Sequence, residues 1–160
     1  METMFNKILL TTDGSEHAEK AAATAIELAK VCKAELRCVS VIEAPVLFGA
    51  PGASVAANAE FYETLEKELT DLATAAAERM VSRASEEGLE ASSVVHRGIV
   101  VDEIVAEAES WDADIIVVAT HGRTGLSRLV LGSVANKIVN HASCPVLLHR
   151  VSEEGETDDQ

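Results

Sequence analysis

The sequence predicts an α/β fold, a doubly wound five-stranded parallel sheet with helices on both faces, and three observations lead there. Short apolar runs rich in branched residues (7–10, 34–42, 92–96, 115–119 and 144–151) alternate with longer segments of helical periodicity, the β-α-β order of a parallel sheet. The run Ile115 to Ala119 is apolar at every position, as a strand covered on both faces must be. No internal repeat and no second compositional block interrupts the 160 residues. Residues 1–152 therefore read as one domain and 153–160 as an acidic, disordered tail.

Each element has its own signal. Lys7 to Leu10 is a short strand, ended by the turn Thr11-Thr12-Asp13-Gly14. Asp13, with Glu16 three residues on, fits a capping pattern for a helix from about Ser15 to Lys33. Ala34 to Ile42 is the second strand. Glu43 to Ala57, with two Pro, two Gly and no periodicity, reads as a long connection that acts as a flap beside the site. From Asn58 to Glu87 a long helix is predicted. Its stripe of Phe61, Leu65, Leu69, Leu72, Ala76, Met80 and Ala84 should face the core, while Glu60, Glu63, Glu66, Asp71 and Glu78 mark a solvated face.

Gly88 ends that helix, and Ser92 to His96 is the third strand, leaving through Arg97-Gly98. Val101 to Ser110 is a short helix with Ile104, Val105 and Ala108 inward and Asp102 as its expected cap. Trp111 and Ala113 lead into the fourth strand. Gly132-Ser133 then precedes Val134 to His141, where Val134, Ile138 and Val139 have helical spacing. Cys144 to Val151 is the last strand, and Pro145 near its start suits an edge.

A net charge of −14 argues against nucleic acid and anionic membrane surfaces, which would repel the chain. Cys32, Cys38 and Cys144 are an odd number without metal-type spacing, as expected of reduced cysteines in a cytoplasmic protein. The acidic N-terminus resembles no signal peptide, and no run is long enough to span a membrane.

The acids are unevenly spread. Between Asp114 and Glu153 there is none, while Arg123, Arg128, Lys137 and Arg150 are basic. This acid-free stretch is the strand-loop-helix segment, where a helix N-terminus and unpaired amides gather at one point, a site for phosphate. Its glycines Gly122, Gly125 and Gly132 also suit ordinary turns, and Ser133 suits a helix cap, which is compatible with phosphate at the same helix end.

The same segment, Thr120-His121-Gly122 followed after nine residues by Gly132-Ser133, resembles the nucleotide loop of the universal stress protein family, written G-x-x-G, nine residues, G-[ST] in its ATP-binding members. Ala119 stands where the first glycine would be. The resemblance runs from Lys7 to Val151 and implies a strand order of 3-2-1-4-5, ATP as ligand, and a homodimer meeting through its last strands. It implies that the acid at Asp13, beside Thr12, contacts the nucleoside and that the main chain at Val41 contacts adenine. Phosphate would be held by amides of Gly122, Arg123, Gly132, Ser133 and Val134, by the Ser133 hydroxyl, and by one or two arginines.

Other chemistries lack their fingerprints. Neither G-x-x-x-x-G-K-[ST] nor G-x-G-x-x-G occurs. His121 with Ser133 suggests a nucleophile and base, yet only Asp114 and Asp13 are at hand as a third member, so a hydrogen-bonding role near the ligand is the better reading. The remaining histidines lack metal-ligand spacing, although Mg²⁺ can arrive with a triphosphate. The expected function is a nucleotide-dependent stress-response switch rather than a rapid enzyme. The alternatives are a nucleotide-free dimeric interaction protein with its pocket closed at Ala119, and a slow ATP hydrolase.

Overall fold

The computed structural model describes residues 4–43, 55–121 and 130–150, with backbone alone at 55–58. In chain order the elements are β1 (Lys7–Thr11), α1 (Glu16–Cys32), β2 (Glu35–Ile42), α2 (Val55–Glu86), β3 (Ala91–Arg97), α3 (Val100–Ser110), β4 (Ile115–Ala119), α4 (Ser133–His141) and β5 (Val146–His149). The strands form one parallel sheet in the order β3-β2-β1-β4-β5. The predicted fold class and strand order are thus observed. Most of the expected flap, Gly122 and Arg123, and the tail 153–160 lie outside the described residues.

Alternation along the strands sorts the core into two layers. Ile8, Leu10, Leu36, Cys38, Ile115 and Val117 face α1 and α2, whereas Leu9, Val39, Ile116 and Val118 face α3 and α4. Helix α1 meets the sheet through Ala21, Ala22, Ala25 and Ala29, all fully buried, small enough to seat a helix closely on the strands.

Several local expectations change. Asp13 does not cap α1: Ser15 does, its Oγ accepting the Ala18 N–H at 3.2 Å. Gly14, at φ +77°, adds a left-handed turn that moves the helix start beyond Asp13. Asp102 lies inside the first turn of α3, whose N-cap is Ile99 without a side-chain bond; Asp102 and Glu103 face the helix dipole instead. Helix α2 begins at Val55 rather than Asn58. Its stripe is buried at Ala76, Met80 and Ala84 but not at Phe61 and Leu72, which are 64% and 63% exposed. Thirty-two helical residues span about 48 Å, and the eight of β2 only about 27 Å. Helix α2 is therefore longer than the strands it packs on, and among the described residues its buried positions begin at Ala76.

Asp114 sits at the amino edge, where its Oδ2 accepts the N–H groups of Asn6 (2.7 Å) and Lys7 (2.9 Å). This ties β1 to β4 and places the carboxylate at the end of β4 opposite His121, so it does not complete a catalytic triad. Asp114→Ala should lower stability by about 1–2 kcal/mol in urea unfolding, with Asp114→Asn, whose amide oxygen can accept both bonds, recovering most of it.

The three cysteines are free thiols. Burial pushes Cys38 up to about 12, with Glu19 adding to the shift. A thiol held neutral in the fold but ionising near 9.0 when unfolded supports folding fully below pH 9 and loses that contribution as pH climbs towards 12. Iodoacetamide at pH 8 should leave Cys38 unmodified in native protein and label it after denaturation, as read by peptide mass spectrometry.

Candidate functional site

The sheet order reverses beside β1, whose neighbours are β2 and β4, and in such sheets a crevice opens at the carboxyl ends of the strands at that point. A cavity of about 500 Å³ lies there. The end and exit of β1 contribute Thr11, Thr12 and Asp13, and the end and exit of β2 contribute Val39 to Glu43. From β4 come Val118 to His121, and from the start of α4 Gly132 to Ala135. Leu69, Leu72 and Ala73 of α2 and Val100 and Ile104 of α3 supply apolar walls. Six of the residues singled out in the sequence, Thr12, Asp13, Val41, Gly132, Ser133 and Val134, thus line one cavity.

The β1 side is a turn braced by its own side chains. Thr12 Oγ1 accepts the Gly14 N–H at 3.1 Å and Asp13 Oδ1 accepts that of Ser15 at 2.9 Å. Thr12 N–H donates to the Val39 carbonyl at 3.0 Å. Since Thr11 pairs with Val39 as the last rung of the β1–β2 ladder while β2 runs on to Ile42, the β1-facing edge of β2 at Ser40 to Ile42 borders the cavity instead of a strand.

The opposite end is the start of α4. Gly132 rather than Ser133 is its N-cap, Ser133 being the first helical residue; no side chain caps it, and no acid stands in its first turn. The first bond of the helix is Asn136 N–H to Gly132 O, 2.9 Å. The amides of Ser133, Val134 and Ala135 accordingly have no acceptor within the helix, and these residues line the cavity. Among the described lining residues the charged ones are Asp13 and Glu43, both on the β1–β2 side. The cavity is polarised, with carboxylates at one end, a helix N-terminus at the other, and aliphatic walls between.

Gly132 is demanded by space. Its backbone (φ −55°, ψ 150°) is open to any residue, yet a Cβ there would stand 2.7 Å from the Thr120 carbonyl oxygen, the atom that accepts Gly132's own N–H at 2.8 Å. The glycine thus draws α4 against the end of β4, a reason different from close approach to a ligand. His121 donates from Nε2 to the Val130 carbonyl at 2.7 Å, and its Nδ1 lies 3.1 Å from Thr120 Oγ1. No hydrogen bond places it as a base on Ser133.

Several lining residues escaped the sequence reading. Ser40 and Thr120 are buried polar groups within strands or at their ends, without a pattern that distinguishes them from core. Leu69 and Leu72 share helical periodicity with Met80, and that spacing does not tell a cavity wall from core.

The model of the Universal stress protein family matches residues 4–150. This chain belongs to the universal stress protein family. Universal stress protein MJ0531 of Methanocaldococcus jannaschii is 34% identical over 147 residues, covering 92% of this chain and 83% of that protein. The solved structure of MJ0577 from the same organism superposes with a TM-score of 0.78 at 28% identity, covering 94% of this chain and 99% of that one. A universal stress protein family structure from Arabidopsis thaliana, with AMP bound, shares the fold at 16% identity (TM-score 0.66, 96% and 97% covered). Among the described residues of this universal stress protein, no three metal-ligating side chains gather, and no helix is long and apolar enough to cross a membrane.

Proposed function

We propose that this universal stress protein binds ATP, or a related adenine nucleotide, in the switch-point cavity and acts in the cytoplasm as a nucleotide-dependent stress-response switch. The observation that carries the reading is the polarity of the cavity. Amides of Ser133 and Val134 at the start of α4 suit a phosphate, and the Asp13 carboxylate at the other end suits ribose hydroxyls as hydrogen-bond donors. Val39, Val41 and Ile104 suit the faces of a base, with the open edge of β2 at Val41 available to its polar rim.

About 500 Å³ lies within the range of small-molecule sites, and the spacing of Gly122, Gly132 and Ser133 is that of the family's nucleotide loop. Gly122 and Arg123 join the phosphate side in this reading. Mg²⁺ would be carried chiefly by the phosphates and water. Hydrolysis would be slow, because the described residues bring no base onto a nucleophile. The protein held in this way would pair as a homodimer through β5, an edge strand whose Leu148 is 37% exposed.

Millimolar ATP with Mg²⁺ should raise the melting temperature by several degrees, since a ligand at about 100 times its Kd adds about 2.7 kcal/mol. No rise would remove the nucleotide from the function and leave a dimeric interaction protein. Ala119 lines the cavity, which remains open beside its methyl. Ala119→Gly should therefore change ATP affinity by less than about tenfold in calorimetry, less than 1.4 kcal/mol. A larger gain would mean that the methyl obstructs the ligand.

A further inference from the structure

We infer that His121 is a positioning residue for the phosphate end of the cavity, its imidazole tying the chain at the end of β4 to the chain that enters α4. The inference rests on the nucleotide reading above. A carbonyl oxygen only accepts, so the 2.7 Å contact with Val130 requires the proton on Nε2. In the neutral ring Nδ1 is then the acceptor, and Thr120 Oγ1, 3.1 Å away on a residue only 5% exposed, is placed to donate to it. The ring is held at both nitrogens, and the ring of His17 lies tilted beside it at 6.3 Å.

The second tie is the main-chain bond from Gly132 N–H to Thr120 O, 2.8 Å. One such bond leaves a pivot about which the start of α4 can swing. Two, at Val130 and Gly132, fix the direction of the helix axis and so the aim of the Ser133 and Val134 amides. Leu131 packs against the α3–α4 layer, but the Val130 side chain is 58% exposed, so among the described residues the imidazole is what holds the chain at that point. Amides that are already aimed need no reordering when a phosphate arrives, which lowers the cost of binding it. The base and ribose end, built on β1 and β2, does not depend on this tie.

The test compares full-length wild type with His121→Ala and His121→Gln by calorimetry against Mg·ATP and against adenosine, and measures hydrogen exchange at the Gly132 amide without ligand. His121→Ala should weaken ATP about tenfold, the worth of one hydrogen bond, and leave adenosine within about twofold. His121→Gln, whose amide N–H can replace Nε2–H, should recover most of the ATP affinity. Gly132 exchange should quicken in the alanine variant. Unchanged ATP binding in His121→Ala, or equal losses for ATP and adenosine, would overturn the positioning role. Wild-type protein that binds neither ligand would overturn the nucleotide reading itself, and an unchanged Gly132 exchange rate would overturn the tie independently of any ligand.

Discussion

Gly132→Val should abolish the ATP-dependent rise in melting temperature while leaving the far-ultraviolet signal of the sheet in place. The new Cβ would meet the Thr120 carbonyl oxygen at 2.7 Å, and that oxygen belongs to the main chain of a buried residue that has little room to retreat. Relief comes by moving α4 away from β4, which breaks the Gly132 N–H bond to Thr120 and turns the Ser133 and Val134 amides out of line. Overpacking of this kind costs about 1–3 kcal/mol of stability, so the melting temperature of the unliganded protein should fall by several degrees as well. Gly132→Ala places the same Cβ and should behave similarly. Full ATP stabilisation in either variant would show that the neck between β4 and α4 does not orient the ligand.

The second large effect is expected at Glu107, which does not line the cavity. Glu107 is 7% exposed on the inner face of α3, where one carboxylate oxygen accepts from Arg37 at 2.9 Å and the other lies 2.6 Å from His96 Nε2. Arg37 also stacks over Trp111, 4.4 Å from the ring centroid, and donates to Ser92. The cluster joins β2, β3 and α3. Glu107→Ala removes the shared acceptor and leaves the Arg37 guanidinium against Trp111 without its carboxylate. Breaking a buried pair costs about 3–5 kcal/mol when the remaining charge stays buried, but Arg37 retains some access to water, so roughly 2–3 kcal/mol is expected in urea unfolding. Glu107→Gln, which keeps one of the two acceptor oxygens and loses the charge, should cost less. A loss under about 1 kcal/mol for alanine would mean that Arg37 is fully solvated in the fold.

Much of this was legible in the amino-acid sequence, for reasons that particular residues make plain. Strand β4 and the two layers of helices follow from apolar runs and 3.6-residue spacing, because burial on two faces leaves no alternative pattern for Ile115 to Ala119. Boundaries were less legible. A capping acid three residues before Glu16 looks like Asp13, but Gly14 adopts a positive φ and hands the cap to Ser15. Helical periodicity states that α2 has one apolar face without stating what covers it, so Phe61 and Leu72 were expected in the core.

For the cavity, the acid-free stretch points to the start of α4, which lines it, while the reason for Gly132 needed coordinates: contact between residues twelve apart, Thr120 and Gly132, leaves no trace in local pattern. Glu107 was hidden for the same reason. A lone acid among Ile104 and Ala108 looks solvated until Arg37 and His96 arrive from other strands.

In the proposed complex, phosphate meets the start of α4 while the base and ribose lie against β1 and β2. A ¹H–¹⁵N titration of the full-length protein with Mg·ATP tests it most directly, since every amide reports separately. Saturable shifts are expected at Ser133 and Val134 together with Asp13 and Val41, and with adenosine alone only at the latter pair. Shifts confined to other surfaces, or none at millimolar ATP, would contradict it.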